Sequence, residues 1–190
     1  METNRIGCEL LVIGGSAGSL DVLIQVLPGV SSTLPFAILI VLHRKYSTGS
    51  ALTDLLAAKS RMPVREVEDK EQIIPGHLYI APSDYHVLLE NKQEFALDFS
   101  EKINYSRPSI DVSFESAAYV FRQGVTALLL SGSSADGMEG LRAIRAAGGY
   151  AAVQLPSSAQ FPFMPQQAID SVSINRLLDI EEMAEFINNL

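Results

Sequence analysis

Leu10-Leu11-Val12-Ile13-Gly14-Gly15-Ser16-Ala17-Gly18 decides how the rest of this chain reads. Four consecutive apolar residues without alternation fit a strand covered on both faces, as in a parallel sheet. The small residues behind them permit a sharp turn. Leu20, Leu23, Ile24 and Leu27 then recur at helical spacing until Pro28-Gly29 stops the helix. Strand, glycine turn and helix open a βαβ unit. The turn also fits G-x-S-x-G, the elbow that exposes a serine hydroxyl between a strand and a helix. The first N–H groups of that helix are free to meet negative charge developing on a substrate oxygen. A turn that binds phosphate, or merely packs, fits the same pentapeptide. Neither G-x-G-x-x-G nor G-x-x-x-x-G-K-[ST] is present, which weighs against a nucleotide.

Working outward, residues 36–42 form a second continuous apolar strand that ends at His43, and a helix is predicted over 51–58. A third apolar run, 125–130, leads into Ser131-Gly132-Ser133-Ser134-Ala135-Asp136-Gly137. In an open parallel sheet, ligands bind just beyond the carboxyl ends of the strands. Ser16, His43 and Asp136 all sit at such ends and can converge in one crevice. Taken singly, His43 also fits a structural histidine, and Asp136 an N-cap of the helix behind it. Their shared topological position favours a hydrolytic set. His77 and His86 lie among ordinary strand residues in a turn-rich region and read as structural.

Residues 64–67, 77–81, 87–90 and 95–99 are short and β-like. Turn signals separate them at Pro75-Gly76, Pro82-Ser83-Asp84 and Asn91-Lys92. They predict an antiparallel insertion or edge meander. Alternation then resumes. Phe114, Ala117, Ala118 and Phe121 stripe a helix ending near Gly124. Met138, Leu141 and Ile144 stripe another, closed by Gly148-Gly149 as a left-handed cap. A strand is predicted at 150–153. Met183, Phe186, Ile187 and Leu190 make a closing helix, with Asp179 and Glu182 at capping-box spacing. The sum predicts one domain over 1–190. It is a three-layer α/β fold, a doubly wound, mostly parallel sheet with a small antiparallel β insertion.

The 190 residues are 47% hydrophobic and 19% charged, a globular balance long enough for a substantial core. A formal net charge of −8 argues against a nucleic-acid partner, which would need a basic face. Cys8, the single cysteine, excludes an internal disulfide and reads as a packing residue entering the first strand. Residues 1–5 hold no apolar stretch of signal-peptide type. The longest apolar run, 36–42, is too short to span a bilayer. A soluble, cytoplasmic protein without membrane insertion is expected.

Several ordered motifs carry a resemblance beyond these patterns. They are Ile13-Gly14-Gly15-Ser16-Ala17-Gly18, His43 at its strand end, and Pro75-Gly76-His77-Leu78-Tyr79-Ile80-Ala81-Pro82 with Asp84 and His86 beyond. Arg107-Pro108-Ser109-Ile110-Asp111-Val112, the loop from Ser131 to Gly137, and Met164-Pro165 before a helix complete the set. Over nearly its whole length the chain resembles the catalytic domain of the chemotaxis protein-glutamate methylesterases (CheB-type). The resemblance implies Ser16 as nucleophile, His43 as base and Asp136 as its orienting carboxylate. It implies hydrolysis of glutamate γ-methyl esters, and deamidation of glutamines, on the cytoplasmic helical region of methyl-accepting chemoreceptors. A separate receiver protein is a further partner to consider, because the receiver domain usual in the family is not in this sequence. No metal or organic cofactor is called for.

The oxyanion is expected on backbone N–H groups, that of Ala17 first and that of Ser133 second. Arg44 and Lys45 are expected on the substrate rim. Asp136→Asn is expected to spare stability more than activity. Three departures from the family pattern stand out: Ser19 in place of a glycine, Arg44-Lys45 in place of Met-Pro, and Ser133-Ser134-Ala135 in the acidic loop. They bear on substrate preference and rim geometry. The order Ser, His, Asp also differs from that of α/β-hydrolases. A serine esterase of the same fold acting on another ester or amide is the nearest alternative. A non-catalytic anion-binding or docking module is the next.

Overall fold

The computed structural model describes residues 7–46 and 48–190. The reading of residues 1–5 therefore lies outside the described residues. The elements follow in the order β1 (Leu10–Gly15), α1 (Ser19–Val26), β2 (Ala37–Leu42), α2 (Ala51–Lys59), β3 (Val64–Glu66), β4 (Leu78–Ile80), β5 (His86–Asn91), β6 (Glu94–Asp98), α3 (Ile110–Phe121), β7 (Val125–Leu129), α4 (Met138–Ala146), β8 (Tyr150–Gln154), α5 (Phe163–Ser171), β9 (Arg176–Leu178) and α6 (Ile180–Asn188).

The first apolar run lies at the centre of the sheet, whose strand order is β3-β4-β2-β1-β7-β8-β9. Every pairing in this sheet is parallel. Both faces are covered, which is why β1, β2 and β7 read as unbroken apolar runs. Leu10 and Val12 point into a core shared with Phe114 and Phe121 of α3, Leu141 of α4 and Met164 of α5. Leu11 and Ile13 point the other way, onto Leu23 of α1, Leu56 of α2 and Ile187 of α6. From β1 the chain first builds the sheet toward β2. After α3 it returns to the opposite side of β1. This reversal is the switch point where such sheets hold their ligands.

The four β-like segments in the middle divide differently from expectation. Only β5 and β6 form an antiparallel hairpin. β3 and β4 extend the parallel sheet beyond β2. Leu78, Tyr79 and Ile80 of β4 are all fully buried, so the strand has no polar face to show. A three-residue strand is also too short to reveal its partner. The same brevity hid β9. Met164-Pro165 lie inside the first turn of α5 rather than before it, where the missing proline N–H has no intrahelical acceptor to lose. The capping box of α6 is present, with Asp179 as N-cap and Glu182 at N3. Gly148 has φ +86°, the left-handed cap expected after α4. Burial pushes the Cys8 thiol up to about 11, which keeps it protonated and inert, in accord with a packing role. Among the described residues no helix is long and apolar enough to cross a membrane.

Candidate active site

The turn after β1 is held by a polar lattice. The Ser16 N–H donates to Ser131 O (3.0 Å) and to Ser19 Oγ (3.0 Å). Ser19 is fully buried and its hydroxyl donates onward to Ser131 O (2.6 Å). The Ser131 hydroxyl donates to Ala17 O (2.8 Å) and accepts from Phe161 N–H (3.0 Å). Gln154, at the end of β8, accepts from Ser131 N–H (2.8 Å). Three strand ends are thus knitted together beneath Ser16, which is itself half-buried. The close approach needs Gly15, where a Cβ would stand 2.2 Å from Ser19 Oγ. It also needs Gly132, where a Cβ would stand 2.1 Å from Met164 Sδ and 2.8 Å from the Ser16 Cβ. Ser19, noted in the sequence as a departure, is a clip within this lattice.

His43 continues β2, and its N–H donates to Gly15 O (3.1 Å), directly before Ser16. Its Nε2 lies 2.7 Å from Asp136 Oδ2. With Nε2–H donating to the carboxylate, Nδ1 is left as the ring's free acceptor. Among the described residues no hydrogen bond joins Ser16 Oγ to His43. Such bonds are often open before substrate arrives. The structure therefore joins His43 to Asp136 directly and sets Ser16 at the neighbouring strand end, one residue beyond the Gly15 carbonyl that His43 N–H bonds.

Asp136 is 1% exposed and does not cap the helix behind it. Its Oδ1 accepts from Ser109 Oγ (2.9 Å) and Asp111 N–H (3.0 Å). Its Oδ2 accepts from Ile110 N–H (2.6 Å) as well as from His43. The carboxylate thus sits on the N-terminus of α3, where backbone dipoles favour negative charge. In exchange, Asp111 of α3 caps α4: its Oδ1 accepts from Gly137 N–H (2.9 Å) and Gly140 N–H (2.7 Å). Each helix is capped by the carboxylate of the other. Burial alone would raise the Asp136 carboxyl. The hydrogen bonds from His43 and from the Asp111 and Ile110 N–H groups outweigh it and hold the group at about 2. Asp111 goes the other way: burial, with the neighbouring Asp136 charge, raises it to about 7.

Sequence reasoning missed Ser109 and Asp111 as site residues, although both stand in a quoted motif. The available signal was Ser109 as a candidate N-cap, and its hydroxyl does accept from Val112 N–H (3.4 Å). His86 is structural, as expected, but it adjoins the site. It is fully buried, Nδ1 accepts from Ser109 N–H (3.1 Å), and Nε2 is 2.9 Å from Glu101 O. His77 packs against Tyr79 with its Nδ1 3.2 Å from Pro75 O, away from these strand ends.

Among the described residues the N–H groups of Ala17 and Ser133 have no protein acceptor. Ser133 borders an apolar cavity of about 390 Å³ with Phe161, Pro162 and Phe163. On the other side of His43, a cleft of about 440 Å³ is lined by Arg44, Lys45, Tyr46, Lys102, Tyr105 and Arg107, among others. Arg44 lies in this cleft wall with its charge paired: its Nη2 bonds Glu66 (2.5 Å) and Ala81 O (3.3 Å). Arg107 is paired with Asp84 (2.7 Å). Lys45 and Lys102 are exposed and form no ion pair among the described residues. No group of three or more His, Cys, Asp or Glu is placed to hold a metal, again among the described residues.

A three-layer α/β fold with Ser, His and Asp at three adjacent parallel strand ends is the scaffold of a serine-hydrolase class of protein. The sequence model of the CheB methylesterase family matches residues 11–187. The chain belongs to that family. It is 36% identical over 182 residues to a putative protein-glutamate methylesterase/protein-glutamine glutaminase of Leptospira interrogans, covering 96% of this chain and 94% of the relative. It is 33% identical over 186 residues to protein-glutamate methylesterase/protein-glutamine glutaminase 1 of Carboxydothermus hydrogenoformans, 95% of this chain but 55% of that protein. The crystal structure of the Thermotoga maritima CheB methylesterase catalytic domain superposes with a TM-score of 0.91 at 29% identity, covering 95% of this chain and 97% of that one.

Proposed function

We propose that this chain is a protein-glutamate methylesterase in which Ser16, His43 and Asp136 form the catalytic triad. The observation that carries the reading is the 2.7 Å bond between His43 Nε2 and the buried Asp136 carboxylate, at the strand end beside Ser16. Ser16 Oγ attacks the ester carbonyl carbon as His43 Nδ1 takes its proton. Asp136 stabilises the imidazolium, and the N–H groups of Ala17 and Ser133 receive the oxyanion. The tetrahedral intermediate collapses with loss of methoxide, which takes the proton from His43 and leaves as methanol. Water, deprotonated by the same histidine, then attacks the acyl-serine. Its collapse regenerates Ser16 and releases glutamate. A glutamine side chain follows the same path with ammonia as the leaving group.

The substrate is the glutamate-rich helical region of a methyl-accepting chemoreceptor on its cytoplasmic side, and a separate receiver protein is a candidate regulator. We read residues 1–190 as one catalytic domain acting in the cytoplasm. Lys45 and Lys102, rather than Arg44, supply the free positive charge on the rim. The test is labelling with a serine-reactive fluorophosphonate, paired with Ser16→Ala. The wild-type protein should be modified at Ser16 and should demethylate a methylated receptor. Ser16→Ala should do neither while melting at the wild-type temperature, because only an unbonded hydroxyl is lost. Receptor turnover by that variant would overturn the mechanism. Labelling without receptor turnover would point to another ester.

A further inference from the structure

Asn104 and Tyr105 are consecutive non-glycine residues with positive φ, +49° and +63°. Ile103 and Ser106 close around them with N–H to O bonds in both directions, 3.2 and 2.8 Å. This is a two-residue hairpin turn with both central residues left-handed, a geometry that favours Asn-Gly. Asparagine tolerates it; a tyrosine in the second position is strained. Such strain persists only where the surroundings enforce it, and it often marks a functional position. The turn sends Tyr105 out to 98% exposure at the cleft. It sends the Asn104 amide inward, where Nδ2 donates to Asp111 Oδ2 at 3.1 Å and reaches Asp136 Oδ1 at 3.5 Å. The two N–H bonds of one amide can serve the two carboxylates separately. No other side chain among the described residues bonds both.

On the triad reading above, we propose that Asn104 is a positioning residue that holds the Asp111–Asp136 carboxylate pair together and so fixes Asp136 against His43. Asp111 and Asp136 are buried, at 4% and 1% exposure, and carry like charges whenever both are ionised. Without a shared donor they repel, and the relief is a rotation of Asp136 or uptake of a proton. The titratable groups around the pair are His43 on Asp136, His86 one bond away through Ser109, and Glu115 and Glu139 from α3 and α4. Lys102 and Arg107 flank the turn in the chain.

Glycine separates this role from a purely structural one. Gly is at least as content as Asn at positive φ. If residue 104 serves only the turn, Asn104→Gly keeps full activity. If the amide serves the pair, Asn104→Gly folds normally yet loses about tenfold in kcat, the size of one hydrogen bond to a charged group. KM for a small neutral ester should hold, and the acid limb of the pH–rate profile should move to lower pH, because a turned or protonated Asp136 no longer favours the imidazolium. Asn104→Asp, which replaces the donor with a third carboxylate, should be worse. A folded Asn104→Gly enzyme with wild-type kcat and pH profile, beside an inactive Ser16→Ala, would overturn this inference and leave the triad standing. Turnover by Ser16→Ala would overturn both.

Discussion

Asp136 holds the start of α3 and the His43 ring with the same two oxygen atoms. Ser109 Oγ and Asp111 N–H occupy Oδ1, while Ile110 N–H and His43 occupy Oδ2. An amide has one oxygen, so Asp136→Asn sets an NH₂ against at least one backbone N–H whichever way it is turned. Asparagine should therefore cost some stability as well as activity, though still less of the former. The variant should lose about 1–3 kcal/mol of stability for the unsatisfied donors. Its kcat should also fall by up to about 10⁴, as when a triad carboxylate becomes an amide. Denaturant unfolding and ester kinetics on one preparation check both. Intact stability would mean that the cap on α3 is dispensable. The sequence marked Asp136 as a partner for His43 but not as this cap. Its partners Ser109 and Asp111 are far away in the chain, and a carboxylate normally caps the helix that it precedes.

At the scale of elements, the crossed caps join α3 to α4 by a titratable contact. The two carboxylates have opposite linkage. Asp136 is held below its ordinary value, so its contribution is complete above about pH 4 and is lost as pH falls toward 2. Asp111 is raised from 3.8 to about 7, so the folded state binds more protons than the unfolded chain between those values. Its contribution to stability therefore declines as pH rises through that window and is constant above it. Asp111→Asn can still accept from Gly137 and Gly140 through its one oxygen, and it no longer titrates. The wild-type melting temperature should fall relative to this variant between pH 4 and pH 7, and the gap should then stop widening. Parallel curves across that range would mean that Asp111 is not raised. The long elements were legible in the sequence because burial on two faces, or on one stripe, writes a period. β3 and β4 were legible as strands but not as members of the parallel sheet, and β9 was not legible at all, since three residues carry no period. Their place in the sheet depends on neighbours far away in the chain.

Over the whole molecule the charge is −8, yet the cleft beside His43 carries Lys45 and Lys102 without partners among the described residues. An acidic substrate approaching an acidic protein is steered by such a local reversal of sign. Lys45→Ala with Lys102→Ala should lower kcat/KM on a receptor at low salt and flatten its salt dependence, while sparing a small neutral ester. At 1 M salt, where screening acts over about 3 Å, the two enzymes should converge. An unchanged salt slope would rule steering out. Arg44 shows why the rim was only half legible: sequence places a charge in a loop, but not the Glu66 that consumes it.

The spread of the site across three strands also sets when it can exist. His43 and Asp136 are 93 residues apart, and both reach Ser16 only through bonds between neighbouring strands. A ribosome adding roughly 5–20 residues per second takes several seconds to cover that interval. On the triad reading, Ser16 and His43 throughout it lack the carboxylate of Asp136 and the loop that carries Ser133. Reactivity is therefore a property of the finished sheet. During refolding, fluorophosphonate labelling should return only with the last cooperative phase, so a nascent or partly folded chain is harmless to its neighbours.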